Sequence, residues 1–167
     1  MTHHAEELRE RLVGYVQDAL AMEQNSLMML RSMLTHTYDP ELRELLEHHV
    51  SETQRHEERV RSRLEGLGES TSKTKQSGAL LGSMFKGVLD QVRSEKPSKD
   101  ARDGYLTEQL EIASYELLQR LAERAGDGET AELARLNLRD EKAMADKISK
   151  SWDKVIDLTL QEEGLHP

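Results

Sequence analysis

Apolar residues recur along this chain at steps of three and four, the spacing of one helical face, through four long stretches. Over about 5–36 the ridge reads Leu12, Val16, Leu20, Glu23, Leu27, Leu30, Leu34. Over 40–65 it reads Leu42, Leu45, His49, Glu52, His56, Val60, Leu64, with Asp39-Pro40 as the start signal and Gly66 and Gly68 as stops. The third stretch, 101–125, is apolar over a wide arc, with Leu106, Leu110, Ala113, Leu117 and Leu121 on one side and Tyr115, Leu118 and Ala122 on another. The fourth, 129–160, carries Ala134, Leu138, Glu141, Ala145, Ile148, Trp152 and Val155. Short turns at 37–40 and 125–128 make each pair antiparallel neighbours. Between the pairs lies a much longer connection, polar at both ends, with a short amphipathic helix at 79–93. Its length suits a crossover running back along the bundle. The pattern predicts an all-α, antiparallel four-helix bundle, one domain over 1–167, with a short fifth helix in the crossover.

Each ridge is interrupted by an acid: Glu23, Glu52, Glu111 and Glu141. Glu23 stands 15 residues before a turn centred at 38 and Glu52 14 after it; Glu111 stands 16 before a turn centred at 127 and Glu141 14 after it. At a rise of about 1.5 Å per residue, the two acids of each hairpin are level to within roughly 3 Å. An unpaired buried charge costs several kcal/mol, so leucine would be cheaper at any of these positions. One such glutamate is ordinarily a rim residue snorkelling to water. Four at matched depth call for cations, and no ridge carries enough lysine or arginine at that level.

Divalent metals bridged by glutamate and completed by histidine would neutralise the group, as in the di-iron or di-manganese carboxylate sites of ferritin-like bundles. Iron is the first expectation and manganese the alternative. His56, four residues after Glu52, is the better-placed imidazole, and His49, three before it, the competitor. Such bundles ordinarily have a Glu-x-x-His pair in each half, yet Glu141 is followed by Met144 and Ala145. Glu108, beside Glu111 on the third helix, compensates in an asymmetric site; otherwise one metal position is weak. Tyr115 and Tyr15 are the tyrosines near enough for redox work, and His36, His48 and His166 read as exposed.

Composition narrows the rest. The absence of cysteine excludes disulfides, thiolate zinc sites and cysteine nucleophiles. A formal charge of −9 argues against nucleic acid and against acidic membranes as partners. No apolar run approaches a membrane span, and the first residues lack the basic and apolar regions of a signal peptide, so the expected location is cytoplasmic.

The segments His49-x-x-Glu52-Thr53, Leu110-Glu111-Ile112-Ala113-Ser114-Tyr115 and Arg139-Asp140-Glu141-Lys142, together with the long middle crossover, resemble the YciF/YciE-type ferritin-like stress proteins of bacteria over about residues 8–158. That resemblance implies a rubrerythrin-like fold with a crossover helix, a homodimer and a metal centre between the helices. It implies Glu23, Glu52, Glu111 and Glu141 as ligands, with His49 and Glu108 near the site. His56 rests on geometry alone. Two functions compete: a metal-binding ferritin-like protein with oxygen or peroxide chemistry in a stress response, and a helical scaffold whose metal site is vestigial.

Overall fold

Asp39 sets the first corner of the molecule. Its carboxylate accepts from the amides of Glu41 and Leu42 at 3.1 and 2.9 Å, and Pro40 supplies a preset φ at the first helical position. A computed structural model describes residues 3–69 and 96–165. Within them run α1 (His3–Leu34), α2 (Pro40–Gly66), α3 (Lys96–Ala125), α4 (Gly128–Ser149) and α5 (Trp152–Glu162). The helix expected at 79–93 lies outside the described residues.

The four long helices close a ring of neighbours. α1 packs on α2 and α3, α4 packs on α3 and α2, and α5 packs on α3. This is the antiparallel four-helix bundle that the ridges predict. The second corner is tight: Gly126 takes φ +72°, a region a side chain disfavours, and the Asp127 side chain accepts from the amide of Thr130 at 3.0 Å.

The fourth stretch is not one helix. It breaks at Lys150-Ser151, where the Ser149 and Ser151 hydroxyls donate to the carbonyls of Asp146 and Ile148, both at 2.8 Å. Serine hydroxyls compete there with the amides that would continue the helix. α5 then leans on α3, with Trp152 edge-on to Tyr105 at 5.5 Å between centroids.

The main apolar core occupies one end of the bundle: Leu12, Val16, Leu20, Val60, Leu64, Tyr115, Leu118, Ala122 and Ala134. A smaller cluster, Met29 and Met33 with Leu46 and Leu110, sits toward the other end. The wide arc of α3 is only half buried in the single chain, with Leu106 and Leu117 60% and 57% exposed. No described helix is long and apolar enough to cross a membrane.

Arg63 joins the two hairpins at the core end. It donates to Thr130 Oγ1 at 2.7 Å and to Asp127 Oδ2 at 2.5 Å, and lies 3.0 Å from Glu129. Arg63 and Asp127 are 12% and 14% exposed, so water screens that pair only weakly, whereas Glu129 lies largely in solvent. Arg63→Ala should lower unfolding free energy by about 1.5–3 kcal/mol in urea titrations, the scale of charge-assisted hydrogen bonds. A change below about 0.5 kcal/mol, ordinary for surface positions, would show that the clamp contributes nothing.

Candidate metal centre

Between these two ends the long helices turn six ionisable side chains inward: Glu23 from α1, His49 and His56 from α2, Glu108 and Glu111 from α3, and Glu141 from α4. None is more than 3% exposed. They fall into two groups that share Glu141. One holds His49, Glu108, Glu111 and Glu141, the other Glu23, His56 and Glu141, and within each group one donor atom per residue lies within 4.8 Å of the rest.

The donor atoms face one another without bonding. His49 Nε2 is 3.2 Å from Glu108 Oε1, and His56 Nδ1 is 2.7 Å from Glu141 Oε1, yet none of these four atoms has a hydrogen-bond partner. Glu23 Oε2 and Glu108 Oε2 are likewise buried and unpartnered. Buried polar atoms are nearly always satisfied, so six orphans in one slab need an explanation. Lone pairs converging on shared points are what a cation's coordination sphere requires, and this hard oxygen and imidazole set suits iron or manganese.

The surrounding side chains orient these donors. Asp140 Oδ2 lies 3.3 Å from His56 Nε2, and Arg139 holds the other Asp140 oxygen at 3.0 Å. A proton on Nε2 leaves the Nδ1 lone pair facing Glu141 and Glu23, the carboxylate–imidazole arrangement that fixes metal-binding histidines. The Ser26 hydroxyl donates to Glu111 Oε1 at 2.5 Å. The Tyr115 hydroxyl donates to Glu23 Oε1 and accepts from Asn137 Nδ2 at 2.9 Å, and Asn137 in turn accepts from Arg59 at 2.9 Å.

Among the described residues no lysine or arginine pairs with Glu23, Glu108, Glu111 or Glu141. Burial first, then the charges of Glu111 and Glu141, holds Glu23 well above the usual carboxylate range. The same causes raise Glu108, where the charge of Glu23 adds to them. Burial and then Glu141 raise Glu111, with the Ser26 hydroxyl opposing. Burial also pushes His49 down to about 4, so its contact with Glu108 is not an ion pair at neutral pH.

The sequence-predicted residues divide clearly. Glu23, Glu108, Glu111, Glu141, His49 and His56 come together, and the two imidazoles serve one group each rather than competing for a single position. Glu52 falls outside both groups: 15% exposed, it lies 3.2 Å from His48 Nδ1 and 3.9 Å from Arg55. Thr53 takes the inward place, its hydroxyl donating to the His49 carbonyl at 3.0 Å, because the buried line of α2 steps from 49 to 53 to 56. Of the two tyrosines, Tyr115 reaches the site, whereas Tyr15 is 43% exposed. His36, expected in solvent, is part-buried against Asp100 at 2.6 Å, and His166 lies outside the described residues.

Ser26, Asn137 and Asp140 were not anticipated. Ser26 and Asn137 stand three and four residues from Glu23 and Glu141 on the same faces, so spacing carried that signal. Asp140 does not share a face with Glu141, and only its pairing across to α2 reveals it.

Comparison with known proteins places the fold. A family model described as "Domain of unknown function (DUF892)" matches residues 7–161. A crystal structure of a protein from Xanthomonas campestris is 30% identical, with a TM-score of 0.77 over 95% of this chain and 99% of that one. The E. coli stress protein YciF is 22% identical over 90% of this chain and 95% of its own, with a TM-score of 0.68. YcfI from Rhodopseudomonas palustris is 21% identical over 89% and 97%, also at 0.68. The last two speak for the fold, which is the ferritin-like bundle of the YciF type that the sequence motifs resemble.

The shifted groups fix a pH dependence for metal-free protein. Glu23, Glu108 and Glu111 keep their protons to higher pH when folded than when unfolded. Each therefore contributes stability below the ordinary carboxylate value and loses it as pH rises through the raised folded value. His49 acts oppositely: its contribution is complete above 6.5 and lost as pH falls toward about 4. With three groups against one, urea unfolding in chelator should show stability falling as pH rises from about 5 to about 8. A net rise over that interval contradicts the burial pattern.

Proposed function

This chain belongs to the DUF892 family, and we propose that it is a ferritin-like metal-binding protein for two divalent cations, iron first and manganese second, with Glu141 common to the two groups that would hold them. The observation that carries this reading is the set of unpartnered buried donors converging in two groups with one carboxylate in common. His49, Glu108 and Glu111 complete one position, and Glu23 and His56 the other. Glu108 supplies from α3 the donor that α4 lacks after Glu141. Such a metal pair, when bound, supplies Lewis-acid and one-electron chemistry inside a water-poor bundle.

The chain's own groups hold that centre ready. Asp140 keeps the His56 imidazole in one tautomer and orientation. Ser26 and Tyr115 each donate to one oxygen of a glutamate, Glu111 and Glu23, and so restrict the rotation of those carboxylates. Likeness to a protein described as a stress protein supports a part in an oxidative or general stress response. The exposed Leu106 and Leu117 of α3 support homodimerisation.

Metal analysis of protein purified without chelator tests the reading. Wild type should carry two cations per chain, Glu23→Ala and Glu108→Ala should each lose one, Glu141→Ala should lose both, and Glu52→Ala should keep both. Metal at about 100 times its Kd should stabilise wild type by about 2.7 kcal/mol for each position filled, and Glu141→Ala should forfeit both gains. No bound metal, together with a more stable Glu141→Ala, would instead favour a scaffold with a degenerate site, because removing a repelling carboxylate from an empty cluster stabilises.

A further inference from the structure

At the end of the bundle where α1 turns into α2, the described residues line a cavity of about 330 Å³ that opens to solvent beside Tyr38 and Glu162. Leu30, Leu42, Leu46, Ile148 and Val155 line it, and it extends inward to His49, a member of the first donor group. That volume lies within the roughly 300–1,000 Å³ usual for small-molecule sites.

Gly104 on α3 is the informative wall residue. It is buried in mid-helix, and a Cβ added there would meet only Ile148 Cδ1, at 3.8 Å. Glycine inside a helix costs about 0.5–1 kcal/mol relative to alanine. Neither a left-handed backbone nor a close neighbour demands glycine at this point. What its missing side chain preserves is the width of the cavity.

The polar groups of the lining select the ligand's charge. Asp39, Asp100 and Glu162 contribute to it; Lys154 is engaged with Asp39 at 3.0 Å, and the His36 ring lies 2.6 Å from Asp100. Among the described residues no lysine or arginine lines the cavity, so a carboxylate or phosphate head would give up its hydration there without gaining a full counter-charge. A neutral hydroxyl or amide would find hydrogen-bond partners in Thr37, Tyr38 and Gln161.

We propose that this cavity binds an uncharged, largely hydrocarbon small molecule whose inner end lies against His49. At roughly 30 Å³ per water-sized group, it has room for on the order of ten heavy atoms. That the metal centre acts on this molecule rests on the reading above; the binding itself does not.

The test uses full-length protein in chelator, with 1-decanol as the probe, followed by calorimetry and by the ¹⁵N spectrum of the histidine rings. Wild type should bind in the micromolar range and the His49 ring signals should shift. Decanoate should bind at least about tenfold more weakly, a difference of about 1.4 kcal/mol. Gly104→Leu fills the cavity and should weaken 1-decanol at least tenfold while melting no lower than wild type. Ala101→Phe, one turn earlier on the same wall, should do the same and decides the matter if the first variant does not fold. No binding to wild type, undiminished binding to the filled variants, an unmoved His49 signal or equal affinity for decanoate each overturns the proposal. Because the metal is absent throughout, a negative result here leaves the metal reading standing, and metal-free ligand variants leave this one standing.

Discussion

Mutual repulsion among desolvated carboxylates is the constraint that the rest of the molecule accommodates. Four buried glutamates lie in two groups that share Glu141, with two imidazoles beside them and no lysine or arginine among the described residues paired to them. In water, two like charges 4 Å apart repel by about 1 kcal/mol; nearer the low dielectric of a protein interior the figure is several-fold larger. Protons relieve this in the metal-free chain: burial first, and the neighbouring carboxylates after it, displace Glu23, Glu108 and Glu111 upward. Cations would relieve it in the proposed loaded form. Either way the slab has a chemical requirement that the remainder of the core does not share.

The architecture isolates that requirement. The main apolar cluster lies on one side of the slab, where α1, α2, α3 and α4 all contribute branched or aromatic side chains. Hydrogen bonds to the slab cross between helices: Ser26 of α1 donates to Glu111 of α3, Tyr115 of α3 donates to Glu23 of α1, and Asp140 of α4 faces His56 of α2. Each donor is thus held by backbone that the apolar cluster has already fixed, which keeps the carboxylates close despite their repulsion.

Much of this was open to reading from the residues. The interrupted ridges gave the helices, the corners at Asp39 and Gly126, and five of the six inward groups by helical spacing; Glu108 followed from the need for another donor on α3. At Glu52 helical spacing alone does not decide. At 3.6 residues per turn, Glu52 and Thr53 both lie near the line from His49 to His56, and only packing against α1 and α4 decides which turns inward. The break before α5 escaped because a ridge that continues through Trp152 and Val155 looks the same whether its backbone is continuous or not. The serine hydroxyls that interrupt it act through main-chain carbonyls, which leave no trace in an apolar pattern.

The two ends of the bundle differ in how firmly they are closed, and this asymmetry has a dynamic consequence. Beyond the slab from the main core, the described apolar packing thins to the Met29–Met33 cluster and the cavity. Amide protons near Val60 and Leu64 should therefore exchange with solvent only when the whole molecule opens. Those from about Leu30 through Leu46 are positioned to exchange through a smaller, cheaper opening. The softer half is the half that leads to His49, so the excursions that admit a solute to the buried donors need not disturb the half that holds the helices together.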